Sequence, residues 1–145
     1  MSKVHAHDGC GVMLFSLFSC YNCVGGTLLI YGSANNVTFQ DCVFDNNTST
    51  RGSAILFWNY IYNISLLQCT FSNNIASTEG TLHFLSEFGD IVIHGCFFFN
   101  NTAYKGAAMY VDESCERMDI RNCTFRRNYA LGMGVRTSCC VIHSG

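Results

Sequence analysis

Residues 69–74 read Cys69-Thr70-Phe71-Ser72-Asn73-Asn74, and this stretch contains the pattern Cys-x-Phe-x-x-Asn that decides the fold. The pattern occurs four times, and the sequence number rises by 27 from each copy to the next, without insertion or deletion. Its members are Cys42, Cys69, Cys96 and Cys123; Phe44, Phe71, Phe98 and Phe125; and Asn47, Asn74, Asn101 and Asn128. A constant period of this length indicates a solenoid, in which each repeat packs against its neighbours.

Apolar residues alternate along each repeat with the period of a β-strand. Val37 and Phe39 alternate, then the parity shifts and Cys42 and Phe44 alternate. A period of two indicates half-buried strands, and a parity shift indicates a bend between two of them. Because a further apolar pair follows the turn in each repeat, we predict about three short strands per coil.

A repeat with a period of 27 favours one architecture over other solenoids. Helical repeats run to about 33–45 residues, and propeller blades need about 40 or more. The alternating β-branched and aromatic residues also argue against helices. We therefore predict an all-β fold, a right-handed parallel β-helix of about five coils, in which each strand pairs with its equivalent one coil away at about 4.8 Å.

The repeat also predicts coil boundaries within a single domain of residues 1–145. The coils are 1–24, 25–51, 52–78, 79–105 and 106–132, followed by a partial coil at 133–145. In the degenerate first coil, Cys10, Val12, Phe15 and Leu17 are expected at the positions of Val37, Phe39, Cys42 and Phe44. Gly25, Gly52 and Gly106 are expected to mark one corner, where Glu79 interrupts and Gly80 follows. Neither terminus reads as an amphipathic cap, so we expect the chain to be part of a longer solenoid.

Equivalent residues of successive coils become stacked columns. We predict an internal stack of the four phenylalanines and an asparagine ladder at a corner, where each amide bonds to both neighbouring coils and tolerates a left-handed backbone. The cysteine column fits free thiols packed in the core, although Cα atoms about 4.8 Å apart also lie within disulfide range. Cys115 lies about one repeat before Cys139 and Cys140, and these three are the better disulfide candidates, with their pairing open.

No metal, cofactor or catalytic site is predicted. Cys20-Tyr-Asn-Cys23 has the spacing of a metal knuckle, but no second pair at suitable spacing completes a tetrahedral site. His83, His94 and His143 are expected to stand alone in outward-facing positions. Acidic residues do not accumulate in any stacked column, so paired-carboxylate chemistry has no candidate.

The composition favours an extracellular or cell-surface protein. The chain has 10 cysteines, which is high for a reducing compartment. Among its Asn-x-Ser/Thr sequons, Asn36 and Asn63 lie one repeat apart just before a predicted strand and are the best glycosylation candidates. The net charge of −2 gives no general attraction to nucleic acid, and the apolar run 12–18 is too short to span a membrane.

Two groups of side chains are candidates for ligand contact. Trp58, Tyr60, Tyr62 and Phe88 are expected to face outward and to cluster on the loop after the second strand, where they either stack on sugars or cover a neighbouring coil. Six of the eight basic residues follow position 104, interleaved with tyrosines, as either a glycan or polyanion face or an ordinary solvated surface. This second group comprises Lys105, Arg117, Arg121, Arg126, Arg127 and Arg136, with Tyr104, Tyr110 and Tyr129.

Two elements of the repeat resemble those of a known family. The first is the Phe-x-x-Asn element, and the second reads Gly25-Gly-Thr-Leu28, Gly52-Ser-Ala-Ile55, Glu79-Gly-Thr-Leu82 and Gly106-Ala-Ala-Met109. Over about residues 10–135, the chain resembles the polymorphic outer-membrane protein repeats of chlamydiae and the wider right-handed β-helix repeat group. The resemblance implies a pectin-lyase-like fold and, for the named family, a surface adhesin.

These observations predict a non-catalytic, cell-surface or secreted scaffold whose lateral surfaces bind a glycan or a surface protein. Further coils of a longer chain would be its neighbours along the solenoid axis. The alternative is part of a carbohydrate-active β-helix enzyme, a polysaccharide lyase or hydrolase, whose catalytic coils lie outside this chain. A fold shared by many functions does not separate the two.

Overall fold

The chain folds into short β-strands joined by tight corners. The computed structural model describes residues 11–13, 16–21, 24–25, 28–31, 34–85, 87–112 and 115–132. Within these ranges all regular secondary structure is β-strand. The strands are β1 (Gly11–Met13), β2 (Ser16–Tyr21), β3 (Val24–Gly25), β4 (Leu28–Tyr31), β5 (Ala34–Gln40), β6 (Val43–Asp45), β7 (Thr48–Arg51), β8 (Ile55–Trp58), β9 (Ile61–Leu67), β10 (Thr70–Ser72), β11 (Ile75–Glu79), β12 (Leu82–Leu85), β13 (Phe88–His94), β14 (Phe97–Phe99), β15 (Thr102–Lys105), β16 (Met109–Val111), β17 (Cys115–Arg121), β18 (Thr124–Arg126) and β19 (Tyr129–Ala130).

The strands form four parallel sheets that run along the solenoid. Sheet A contains β1, β4, β8, β12 and β16; sheet B contains β2, β5, β9, β13 and β17; sheet C contains β3, β6, β10, β14 and β18; and sheet D contains β7, β11, β15 and β19. From Leu28 onward, the described residues make four complete coils with one strand in each sheet. The prediction of three strands per coil is therefore wrong. The prediction missed the strand of sheet D in each coil, because strands such as Thr48–Arg51 are polar and lack apolar alternation.

The repeat keeps its constant period from Leu28 onward, and the first coil departs from it. Leu28 pairs with Ile55, and Ile55 with Leu82, so the register keeps the spacing of the sequence repeat. In the first coil, however, Val12 pairs with Ile30 rather than occupying the column of Phe39, so the predicted phase is wrong. The register offset is shorter because β4 begins at Leu28, soon after β3 ends at Gly25, and the described residues of the first coil include no strand of sheet D. Cys10 and Phe15 lie outside the described residues.

Inward-facing residues at equivalent positions of successive coils stack on one another and form the core. Phe44, Phe71, Phe98 and Phe125 stack with nearly parallel rings, and their successive centroids are 5.1, 4.8 and 4.7 Å apart. The first three rings are buried, whereas Phe125 in the last described coil is 48% exposed. Full burial of such a side chain contributes roughly 1.5–3 kcal/mol. Repetition of the column therefore supplies stability to each interior coil in turn.

The corners of the coil depend on residues with a left-handed backbone. One column turns the chain between sheets C and D: Asn46, Asn73, Asn100 and Arg127, with φ values of 58°, 53°, 54° and 55°. The ladder asparagines follow these residues and are not themselves left-handed, so this part of the ladder prediction is wrong. The division is physical, because the left-handed residue turns the chain and the next side chain is then directed inwards.

Candidate functional site

The asparagine column forms a continuous hydrogen-bonded ladder inside the solenoid. Asn74 Oδ1 accepts hydrogen bonds from the backbone N–H and from Nδ2 of Asn47, at 3.0 and 2.8 Å. Asn74 Nδ2 donates to Asn101 Oδ1 at 3.0 Å and to the carbonyl oxygen of Phe44 at 2.9 Å. The Asn101 amide makes the equivalent four contacts. Both amides use their full hydrogen-bonding capacity within the protein, which makes their role structural.

The cysteine column consists of free thiols that bond to backbone carbonyls. Cys96 Sγ donates to the carbonyl oxygen of Leu66 at 3.4 Å, and Cys123 Sγ donates to that of Ile93 at 3.5 Å. The hydrogen bond with Cys123, together with burial, raises the pKa of Cys96 to about 12. The same bond lowers the pKa of the half-buried Cys123 to about 7, against the effect of its own burial. Thiolate chemistry is therefore suppressed in the interior coils.

The predicted disulfide rests on side chains that the structure does not describe. Cys139 and Cys140 lie outside the described residues, and Cys115 is described only by its backbone at the start of β17. Its pairing stays a prediction.

The two predicted glycosylation sites differ in the availability of their amide nitrogens. Asn36 and Asn63 are both exposed at left-handed positions within β5 and β9, with φ values of 58° and 53°. Asn63 Nδ2 donates to Oδ1 of Asn35 and of Asn36, each at 3.1 Å. Since an N-linked glycan is attached through Nδ2, modification of Asn63 would disrupt this amide cluster. Modification of Asn36 would leave the donor of this cluster, Asn63 Nδ2, in place.

Three aromatic side chains project from the corner between sheets A and B. Trp58 ends β8, Tyr60 lies in the turn and Tyr62 lies in β9, with exposed fractions of 40, 53 and 44%. Asn35 is the register neighbour of Tyr62 on the adjacent coil, which brings the amide cluster beside the rings. We call this surface the aromatic corner and define it as Trp58, Tyr60, Tyr62, Asn35, Asn36 and Asn63.

The backbone of the next coil supports the ring of Tyr62. A Cβ atom built on Gly89 would lie 2.5 Å from Cδ1 of Tyr62, so the ring lies directly on the glycine backbone. Phe88, which was predicted to join the exposed aromatics, is instead buried in the core and packs edge-on against Phe84 at 5.4 Å. That expectation is wrong because Phe88 starts β13 in the inward column that also contains Ile61.

The residues of the predicted basic face differ in their partners and in their exposure. Arg117 pairs with Asp90 and Arg121 with Asp119, both at 2.7 Å. Among the tyrosines of this group, Tyr104 and Tyr129 are exposed, whereas Tyr110 is buried. Arg136 lies outside the described residues. This distribution favours the interpretation as a solvated surface with local ion pairs.

A register shift in β11 builds a row of charged side chains. Glu79 pairs with Arg51 and Lys105, whereas a strict repeat spacing would place Thr78 between them. The Glu79 carboxylate lies 3.2 Å from Arg51 Nε and 3.6 Å from Lys105 Nζ, and its side chain is 13% exposed. Burial raises the pKa of Glu79, but the Thr78 hydrogen bond and the nearby cations outweigh it and lower the pKa overall. The sequence signal for this shift is a corner glycine at Gly80, with φ 23°, instead of position 79.

His83 lies beside this charged row and is fully buried. The expectation that it faces solvent is therefore wrong, although His94 is exposed as expected. In β12, His83 alternates with the core residues Leu82 and Phe84, as an outward-facing residue should. Neighbouring side chains cover it, and the ring of Tyr110 packs edge-on at a centroid distance of 5.4 Å.

Within the described part of the chain, no group of three or more His, Cys, Asp or Glu side chains is arranged to hold a metal ion. The described residues also include no helix that is long and apolar enough to cross a membrane.

The four-sheet solenoid and its stacked columns have a counterpart among protein families. Residues 19–144 match the family description "right handed beta helix region". The chain belongs to the right-handed β-helix family. The match extends over all four complete coils of this β-helix, and it confirms the predicted fold class. Neither the search of curated proteins nor the search of solved structures gave a match.

Proposed function

We propose that this β-helix protein is a non-catalytic scaffold, secreted or held at the cell surface, whose aromatic corner binds a glycan. The observation that carries the proposal is the exposure of Trp58, Tyr60 and Tyr62 beside three amide side chains. Aromatic rings offer flat apolar faces to the C–H groups of a sugar. Amides supply both donors and acceptors for its hydroxyl groups.

Contacts within the protein hold part of the aromatic corner in place, which favours binding. The ring of Tyr62 rests on the backbone of Gly89, and the amide of Asn63 is bonded to two asparagines of the preceding coil. Side chains already fixed in position lose little entropy when a ligand binds. A weakly binding sugar unit gains most from such a surface, because each of its contacts is small.

The charges near the aromatic corner favour a neutral glycan. Asp90 directly follows Gly89, and its carboxylate pairs with Arg117 at 2.7 Å. This pair carries no net charge, so it offers hydrogen-bonding groups without a strong field for a polyanion. The proposed ligand class is therefore an uncharged oligosaccharide chain.

Two features of the sequence support an extracellular setting for this function. The Phe-x-x-Asn element resembles that of the chlamydial surface repeats, and the pectin-lyase-like fold that it implies includes proteins that act on polysaccharides. The sequon at Asn36 lies in the aromatic corner and is exposed. Because a glycan on Asn36 would lie within the aromatic corner, the proposed binding belongs to protein in which Asn36 is unmodified.

The proposal is tested by glycan-array and cell-binding measurements on wild-type protein and matched variants. Trp58→Ala and Tyr62→Leu should each weaken binding about tenfold or more through loss of a stacking face. Tyr104→Leu is the control, because Tyr104 is similarly exposed but lies on sheet D. Equal binding by all three variants would refute the aromatic corner as the site.

The enzyme alternative has a different outcome. Because that alternative places the catalytic coils outside this chain, the assay uses a longer chain that includes flanking coils. Incubation of that chain with pectin and other polysaccharides would release new chain ends if it were an enzyme, and the ends are detected by a reducing-sugar assay and by ultraviolet absorbance. Binding without turnover supports the scaffold. The absence of any binding to glycans or cells would reject the proposal and leave a plain structural spacer.

A further inference from the structure

His83 has surroundings that suit a neutral imidazole and oppose a charged one. Its register neighbours in sheet A are Leu56 on β8 and Tyr110 on β16. Neither ring nitrogen has a hydrogen-bond partner among the described residues, although both atoms are buried. A buried charge without hydrogen bonds is costly, so this position disfavours the imidazolium.

Charged groups nevertheless stand close to the ring on several sides. Asp112, which follows β16, places Oδ2 4.0 Å from His83 Nε2, just beyond hydrogen-bonding distance. Glu79 on β11 also acts electrostatically on the imidazole, and so do the cations Arg51 on β7 and Lys105 on β15. Because the nearest carboxylate is half-exposed, a small outward movement of the ring would bring the imidazolium to both an anion and water.

We propose that His83 is an acid-sensitive latch on the outer face of sheet A: the neutral ring packs against Tyr110, and the protonated ring leaves this contact to pair with Asp112. The movement would loosen the outer packing between β12 and β16 while the inward columns of Phe84 and Val111 stay in the core. The inference is independent of glycan binding.

The direction of the pH dependence follows from burial. Burial lowers the pKa of His83 to about 4, although Glu79 and Asp112 act to raise it. In the unfolded chain, the imidazole has an ordinary pKa of about 6.5. Between these values the unfolded state binds a proton that the folded state does not, so stability is lost as the pH falls from about 6.5 to about 4. From pH 7 to pH 4.5, this raises the unfolding equilibrium constant about 50-fold.

The first test compares urea unfolding of wild type and His83→Met at about pH 7 and pH 4.5. Since the ring nitrogens bond to no described group, methionine should be tolerated at neutral pH. The equilibrium constant of the wild type should then rise about 50-fold more on acidification than that of the variant. Contributions from the carboxylates are shared and largely cancel. His94→Gln, at the exposed end of β13, is the control and should retain the wild-type pH dependence.

The second test uses the wild-type protein and does not depend on the folding of a variant. The carbon-bound protons of the His83 ring are followed by NMR through an acid titration, together with the cross-peaks between His83 and Tyr110. A midpoint near 4, lowered further in Asp112→Asn, with loss of the Tyr110 cross-peaks on protonation, is the expected result. A midpoint near 6.5, cross-peaks that persist after protonation, or an unchanged pH dependence in His83→Met would overturn the inference.

Discussion

Replacement of Asn101 by alanine should remove the acceptor that holds two donors of the preceding coil. Asn101 Oδ1 accepts hydrogen bonds from the backbone N–H and from Nδ2 of Asn74, both at 3.0 Å. Both asparagines are completely buried, so water does not readily replace the lost acceptor. The substitution also takes a donor from the carbonyl oxygen of Phe71, a smaller loss because carbonyl oxygens tolerate an unused lone pair better.

The magnitude follows from the number of buried groups that lose their partner. A buried donor without an acceptor costs about 1–3 kcal/mol. Two donors on Asn74 therefore give a loss of about 2–6 kcal/mol in the free energy of unfolding, and partial relaxation of the coil places the expected value near 3 kcal/mol. Asn100→Gly is the matched control, because Asn100 is the adjacent asparagine but is exposed, and glycine accepts its φ of 54°. It should cost less than about 1 kcal/mol, since its one side-chain bond, to Asn73, is exposed.

The assay is urea unfolding followed by circular dichroism, with amide hydrogen exchange of β11 and β15 as a local measure. Exchange is needed because a repeat array can unfold in segments, and a single global value then understates a local loss. Loss of protection should be greatest at the backbone N–H of Asn74. If Asn101→Ala stays within about 1 kcal/mol of the wild type, or matches Asn100→Gly, the ladder is not the dry hydrogen-bonded network that the structure shows.

Three further predictions concern packing, corners and charge. Phe71→Ala should cost about 3–5 kcal/mol in thermal or urea unfolding, and the half-exposed Phe125→Ala clearly less; equal losses would contradict an internal stack with an open end. Gly106→Ala should lower the melting temperature strongly, because φ is 52° and the new Cβ would lie 2.3 Å from the carbonyl oxygen of Met109. Gly95→Asn should be tolerated, since Asn122 has the same left-handed backbone one coil later; a large loss there would refute the shared corner. Glu79→Lys should be less stable than Glu79→Gln, because the new lysine would lie between the cations Arg51 and Lys105. High salt should reduce this difference in stability, and a difference that does not change with salt would rule out charge repulsion as its cause.

The inward half of the fold could be predicted because equivalent residues pack against one another. Phe44 stacks on Phe71 of the next coil with nearly parallel rings, and the recurrence of the same residue type in each repeat makes this packing visible in the sequence. The first coil lacks this property. Its strands pair with those of the second coil at a shorter sequence offset than in later coils, so a phase counted back from the repeat fails there. Sheet D itself was missed because its strands have little apolar alternation to detect: β7 reads Thr-Ser-Thr-Arg, and β11 and β15 each bury only one alanine.

The outward half of the fold was predicted less well because exposure there depends on neighbours at the corners. Trp58, Tyr60 and Tyr62 are exposed as expected. His83 is equally outward by strand alternation, yet Tyr110 from the next coil covers it. Position within a strand fixes the face of a side chain, but the size of the side chains one coil away fixes its accessibility. The sequence period therefore predicts the face on which a side chain lies, but it does not predict how accessible that side chain is.

Repetition of a charged residue at the same position of successive coils is unfavourable. Equivalent side chains lie about 4.8 Å apart, and at that distance like charges repel each other in successive coils. A charged column must therefore alternate in sign, as Asp90 and Arg117 do. In a strict register, Glu79 would fall at the left-handed corner and Arg51 would face Thr78. The shift of one residue in β11 resolves both problems, because it gives the corner to Gly80 and places Glu79 between two cations. The departure from the period thus meets a backbone requirement and an electrostatic one together, and it places Glu79 among the charged groups that act on the buried His83.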